Sequence, residues 1–225
     1  FRKIKIDIHQ KNNYLIDNYS KKKANEKKAL LNRKANTLGL LRFGKGRNKL
    51  IRKISQKYYP VFHNEEIFIT NAGFKPSITS VLKQGEPKLF FVHKKEILNS
   101  NGKVISQGHV MAMLYDGEST FVLLDPHGAK SQYRRLIANA VGKIDGMSLN
   151  TNPQVCIKIQ NQRPLCVAYS TYIIAKVANK LKSVSDAKQA VLNVKENIPK
   201  EDTAILADMM STAKGLGLGE IFPSF

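Results

Sequence analysis

Apolar residues in the middle of the chain form short runs of strand length, and turn residues separate them. These runs lie at residues 66–70, 89–92, 109–115 and 120–124. The last two flank a four-residue loop that contains Gly117, a spacing that favours an antiparallel hairpin. A second turn signal, Asn-Ser-Asn-Gly at 99–102, predicts another hairpin upstream of them.

Apolar residues in the second half of the chain recur at helical spacing. Helices are predicted over residues 132–141, 166–181, 185–197 and 203–214. The segment 166–181 is apolar almost all round, which is typical of a helix buried at the centre of a domain. Asn48 is predicted to cap an earlier helix. A short helix over 77–83 and a short strand over 155–159 are also expected.

Strands grouped in the middle of the chain, with helices on either side, favour an α+β fold over an alternating α/β fold. We predict a central mixed, mostly antiparallel sheet with a buried Cys-bearing helix, flanked by further helices. The length of 225 residues and the apolar content of 42% suffice for one well-buried domain plus an appendage. No apolar run approaches the ~20 residues of a membrane-spanning helix.

Positive charge is concentrated in the N-terminal part of the chain. The formal net charge is +20, and residues 1–58 hold 18 Lys and Arg against three acidic residues. A field of this size attracts polyanions: a multiply phosphorylated ligand, an anionic membrane, or nucleic acid as a secondary candidate. The alternative is a solvated basic region that only keeps the protein soluble. We predict a basic helical or partly disordered arm over 1–48 and a catalytic domain over 49–225.

Three residues combine into a candidate thiol site. His109 opens one strand of the predicted hairpin and Asp125 follows the other, so the hairpin is expected to bring them together. Cys166 opens the buried helix, where the positive end of the helix dipole stabilises a thiolate. An imidazole that removes the thiol proton, and that a carboxylate orients, makes a cysteine nucleophilic. We therefore predict His109 as the base, Asp125 as its orienting acid and Cys166 as the nucleophile.

Two further residue types bear on the chemistry of this site. Gln160 lies six residues before Cys166 and is predicted to donate a hydrogen bond to the oxyanion of an acyl-transfer intermediate. Gln162 is the competing candidate for that role. His127, within a Pro-His-Gly sequence, is predicted to be an exposed turn residue.

The two cysteines, Cys156 and Cys166, cannot form a disulfide framework and fit a reducing compartment. Cys156 lies in an apolar segment and is predicted to be a core residue. An alternative is a zinc site, although none of its pairs has close CxxC-type spacing. Its ligands would be His109, His127, Cys156 and Cys166.

The order of a His, an acid, a Gln and a Cys that opens a buried helix is similar to that of the clan CE cysteine enzymes. These include the SUMO-protease and adenoviral-protease families, bacterial effector deubiquitinases and the YopJ family of effector acetyltransferases. The pattern covers residues 109–181 well and the flanks weakly.

Within clan CE, the finer details look most like the YopJ family. The resembling segments are Lys-Tyr-Tyr-Pro at 57–60, the apolar strand at 89–92, Leu-Asp-Pro at 124–126 and the Cys segment at 159–176. The chain departs from the family in having Leu165 and Val167 beside the cysteine, where Glu and Gly are usual. Val110 follows the His where SUMO-type and adenoviral proteases usually have Trp.

This resemblance implies an acyl-enzyme route in which Cys166 takes acetyl from acetyl-CoA and passes it to Ser, Thr or Lys of a host protein. It also implies a secreted bacterial effector that acts in the host cytosol, with inositol hexakisphosphate as an activator bound by basic residues. One alternative is a clan CE isopeptidase that acts on ubiquitin or a ubiquitin-like modifier through the same thioester. A second alternative is a polyanion-binding module without catalysis.

Overall fold

The computed structural model describes residues 45–95, 97–98, 100–101, 104–106, 108–128, 131–159, 166–183 and 186–218. Only the backbone is described for residues 45–50, 97–98, 104–106 and 202. All of these residues belong to one unit, Leu38–Phe225. Most of the predicted basic arm lies outside the described residues, so its boundary at residue 48 stays a prediction. In the described part of the chain, no helix is long and apolar enough to cross a membrane.

Eight β-strands are described, and six of them form one mixed sheet. Their bounds are β1 Phe62–Thr70, β2 Gly73–Lys75, β3 Lys88–Lys94, β4 Ile97–Leu98, β5 Val104–Ser106, β6 His109–Tyr115, β7 Thr120–Leu124 and β8 Ser148–Asn150. The sheet order is β2-β1-β3-β6-β7-β8, and β4 pairs with β5 in a separate ribbon. Pairs β1–β3 and β7–β8 are parallel, and the other pairs are antiparallel.

Five α-helices are described in the same ranges. They are α1 Lys45–Tyr58, α2 Arg134–Val141, α3 Cys166–Leu181, α4 Ala187–Asn197 and α5 Asp202–Gly215. Short 3₁₀ turns cover Thr79–Val81 and Pro153–Val155. At this level the architecture is α+β, as predicted.

Strand β6 lies at the centre of the fold and is buried along its whole length. Its residues Met111, Met113 and Tyr115 belong to the core cluster that also contains Ile137 and Val141 of α2. The alternate residues of β6 face the opposite side of the sheet, where α3 packs against the strand. A strand covered on both faces reads as a continuous apolar run, which explains the pattern at 109–115.

Several predicted elements are confirmed, and others are corrected. Both predicted hairpins are present, as β4–β5 and β6–β7. Helix α1 begins at Lys45, so Asn48 lies inside it and does not precede it. The predicted helix at 77–83 is only a 3₁₀ turn over Thr79–Val81. The predicted strand at 155–159 is wrong: Asn152 caps a 3₁₀ turn by accepting from the Gln154 N–H, and Pro153 favours that turn start.

Candidate active site

The hairpin β6–β7 brings His109 and Asp125 together. Its register pairs Tyr115 with Phe121 and Ala112 with Leu124, so Asp125 comes just after the last paired residue of β7. His109 is the first residue of β6. His109 Nε2 lies 3.1 Å from Oδ1 and 3.2 Å from Oδ2 of Asp125, and both side chains are almost fully buried. A carboxylate can only accept, so Nε2 carries the proton of this bond. Nδ1 is the ring nitrogen that remains for a second partner.

The Asp125 carboxylate is the centre of a hydrogen-bond cluster. Besides His109, it accepts from the His127 backbone N–H (2.9 Å), from His127 Nδ1 (3.0 Å) and from Ser131 Oγ (2.5 Å). Burial alone would raise the pKa of Asp125. The hydrogen bonds from His109, His127 and Ser131, with the charge of His109, hold that pKa well below its usual range. The carboxylate is therefore ionised at neutral pH.

A tight turn fixes the geometry after Asp125. The Gly128 N–H donates to the Asp125 carbonyl oxygen (2.8 Å), and this turn folds His127 back over the carboxylate. Gly128 has φ +70°, and a Cβ there would lie 2.8 Å from the Cβ of Lys158. Both the backbone conformation and the close approach of the neighbouring segment require glycine at this position.

His127 is part of the site, so its prediction as an exposed turn residue is wrong. It is half-buried, its ring bonds Asp125, and its ring centroid lies 4.9 Å from that of His109. The hairpin register contained a signal for it. Continuing the pairing of Tyr115 with Phe121 toward the start of β6 places residue 127 opposite residue 109.

Ser131 and Tyr133 were not predicted as part of the site. The Tyr133 ring stacks on the His109 ring, with centroids 4.7 Å apart and planes 14° from parallel. Ser131 Oγ accepts from the Tyr133 N–H at 3.2 Å while it donates to Asp125. The Ser131 hydroxyl thereby links the backbone of Tyr133 to the Asp125 carboxylate.

Cys166 is the first residue of α3 and is only 4% exposed. One turn further on, Ser170 Oγ donates to the carbonyl oxygen of Val110 at 3.0 Å, which ties the start of α3 to the start of β6. This bond joins a residue one turn after Cys166 to Val110, the residue that directly follows His109.

The ionisation of His109 reflects its two partners. Burial alone would lower the pKa of His109. Hydrogen bonds with Asp125 and with the Cys166 side chain, and the charges of both groups, outweigh burial and raise that pKa to about 9. The imidazole thus lies between a carboxylate on Nε2 and a sulfur, which is the arrangement that activates a thiol.

The proposed zinc ligands do not converge as a set. Cys156 is buried, as predicted, and its Sγ accepts from Arg134 Nη2 (2.7 Å) outside this cluster. His109, Asp125 and His127 do place donor atoms within 4.8 Å of one another, a composition that could hold a metal ion. Their ring N–H groups and carboxylate oxygens already complement each other as donors and acceptors. We therefore assign them as an acid–base cluster.

Gln160 and Gln162 lie outside the described residues, so their predicted oxyanion role stays a prediction. No family model, curated protein or solved structure matches this chain. The chemistry of the cluster itself is therefore the basis for a functional assignment.

Proposed function

We propose that the protein is a thiol acyltransferase of the clan CE type, with Cys166 as nucleophile, His109 as base and Asp125 as the orienting acid. One observation carries the proposal. A buried imidazole donates its Nε2–H to the orienting carboxylate and hydrogen-bonds a cysteine side chain at the first residue of a helix. Gln160 is the proposed oxyanion donor.

The reaction proceeds in two acyl-transfer steps. His109 takes the proton of the Cys166 thiol, and the sulfur attacks the carbonyl carbon of the acyl donor. Gln160 and backbone N–H groups at the start of α3 stabilise the oxyanion. The leaving group departs with the proton from His109 and leaves a thioester. In the second step, neutral His109 removes a proton from the acceptor, which attacks the thioester and releases the thiol.

A basic pocket at the same end of the sheet as the cluster favours an anionic acyl donor such as acetyl-CoA over ubiquitin or a ubiquitin-like modifier. Lys94 pairs directly with His109 across the β3–β6 ladder, so the end of β3 lies at the same end of the sheet as the site. A cavity of about 790 Å³ lies at the ends of β1 and β3, and none of the described residues in its lining is acidic. Its lining residues are Phe68, Ile69, Thr70, Asn71, Lys75, Pro76, Lys94 and Lys95. Three ammonium groups suit a phosphate-bearing ligand.

The remaining partners follow from the resemblance. We propose a host protein as the acyl acceptor, with secretion into host cytosol, and inositol hexakisphosphate as an activator. The basic residues 1–44, which supply much of the positive charge, lie outside the described residues.

Labelling with radioactive acetyl-CoA tests this function. We expect a hydroxylamine-labile label, as a thioester gives, on the wild type and none on Cys166→Ala. A ubiquitin-type suicide probe is added in parallel. Capture of the probe without acetyl labelling would identify the isopeptidase alternative. If neither acetyl labelling nor probe capture is observed and inositol hexakisphosphate binds, the polyanion-binding module is the remaining alternative.

A further inference from the structure

We infer that His127 is a second catalytic base, which takes a proton from an amine acceptor before that amine attacks the Cys166 thioester. This inference rests on the proposed function and narrows its acceptor class to primary amines such as a lysine side chain. Three observations carry it: the tautomer of His127, its exposure, and its distance from His109.

The tautomer of His127 is fixed by Asp125. The backbone N–H and Nδ1 of His127 both lie at hydrogen-bond distance from Asp125 Oδ1, at 2.9 and 3.0 Å. Since an ionised carboxylate accepts only, Nδ1 must be the protonated nitrogen. Nε2 of the neutral ring therefore keeps its lone pair, and among the described residues no hydrogen-bond partner of Nε2 is observed.

His127 is the member of the cluster that an acceptor can reach. Its side chain is 35% exposed, whereas those of His109 and Asp125 are 5% and 0% exposed. Its ring centroid lies 4.9 Å from that of His109. An amine bound at Nε2 therefore lies beside the base that already serves the thiol.

The charge of the acyl-enzyme suits a cationic acceptor. After the leaving group has taken the proton from His109, Asp125 remains an ionised carboxylate. That carboxylate attracts an ammonium group. An alkyl ammonium must lose a proton before its nitrogen can attack, whereas a hydroxyl acceptor needs only the single proton transfer that His109 provides.

The proton balance of the second step uses both imidazoles. His127 Nε2 takes one proton from the ammonium, and the freed amine nitrogen forms a C–N bond with the thioester carbon. The C–S bond breaks, and the Cys166 sulfur leaves as a thiolate. The second proton of the nitrogen goes to His109, which restores the thiolate–imidazolium pair. His127 then returns its proton to solvent.

Acyl partitioning from p-nitrophenyl acetate tests this role. The burst of p-nitrophenolate reports acylation of Cys166, and the products report transfer to Nα-acetyl-lysine amide or to methoxyamine, an amine that is neutral at pH 7. In His127→Gln we expect transfer to the lysine amide to fall about 100-fold, the low end of general-base contributions. Transfer to methoxyamine should fall less than about fivefold, because that acceptor needs no prior deprotonation. His63→Gln, at a half-buried histidine of β1 outside the cluster, serves as the matched control. In this variant, transfer to the lysine amide and transfer to methoxyamine should both equal those of the wild type.

Equal losses for both amines would overturn the inference, because they would mean that His127 only positions Asp125. Undiminished transfer to the lysine amide would overturn it as well. Failure of the proposed function has a different signature: the wild type would show no p-nitrophenolate burst that depends on Cys166.

Discussion

Cys166→Ala and His109→Ala are each expected to remove essentially all turnover, a loss of about four to six decades. Cys166 supplies the thiol of the cluster, and His109 is the imidazole that hydrogen-bonds it. The alanine at 166 has no nucleophile, and without His109 the thiol loses its hydrogen-bond partner and proton acceptor. The measurement is the rate of acyl-enzyme formation from acetyl-CoA or p-nitrophenyl acetate.

Cys156→Ala is the matched control for this loss. Its thiol is also buried but contacts Arg134 and lies outside the cluster, so turnover should change less than about threefold. Thermal unfolding of each variant separates lost chemistry from lost structure. Activity that survives in Cys166→Ala and disappears in Cys156→Ala would show that Cys156, and not Cys166, is the nucleophile.

Asp125→Asn is expected to lower turnover by about two to four decades. The carboxylate holds the proton on His109 Nε2 and keeps Nδ1 available for the thiol. An amide can present its NH₂ group to the ring, which favours the opposite tautomer. The expected signature is a large fall in the rate of acylation with the thiol still present. Steady-state and burst kinetics measure it.

Asp145→Asn removes one negative charge at an exposed aspartate that is not part of the site. It should have little effect on the rate of turnover or of acylation. Since Asp125 also accepts from Ser131 and His127, its variant is expected to melt at a lower temperature. Assays are therefore run well below that transition. A loss of less than tenfold in Asp125→Asn would contradict the orienting role.

Local patterns predicted the parts of this site that depend on one hairpin. A four-residue loop between two apolar runs was enough to predict that His109 and Asp125 meet, because antiparallel pairing follows from the loop. The same register also placed residue 127 opposite residue 109. The Pro-His-Gly sequence is typical of an ordinary turn and by itself gives no sign of that consequence.

The remaining parts depend on contacts between distant segments. Nothing in the sequence around Tyr133 indicates that its ring stacks on His109, since the stack depends on how α2 packs on the sheet. The bond from Ser170 to Val110 likewise joins residues 60 positions apart. The strand predicted at 155–159 failed because the turn that Asn152 and Pro153 begin includes residue 155, and the following residues form an isolated bridge, between Lys158 and His127, in place of a ladder.

The pH dependence of Cys166 alkylation tests the pairing of the thiol with His109 most directly. The pKa of His109 is raised to about 9, so its imidazolium persists below that pH and is lost as the pH rises through it. Below pH 9 the imidazolium stabilises the thiolate, whereas an isolated thiol ionises near its ordinary pKa of about 8.5. Iodoacetamide is used on the Cys156→Ala variant, in which Cys166 is the remaining cysteine.

From pH 7 to 8.5 we expect the alkylation rate constant to change less than about twofold. A larger change is expected near pH 9, where His109 loses its proton. In the double variant with His109→Gln, the rate should instead rise about 15-fold over the same interval, as an ordinary thiol does. A rise of that size in the presence of His109 would contradict the thiolate–imidazolium pair on which the proposed chemistry depends.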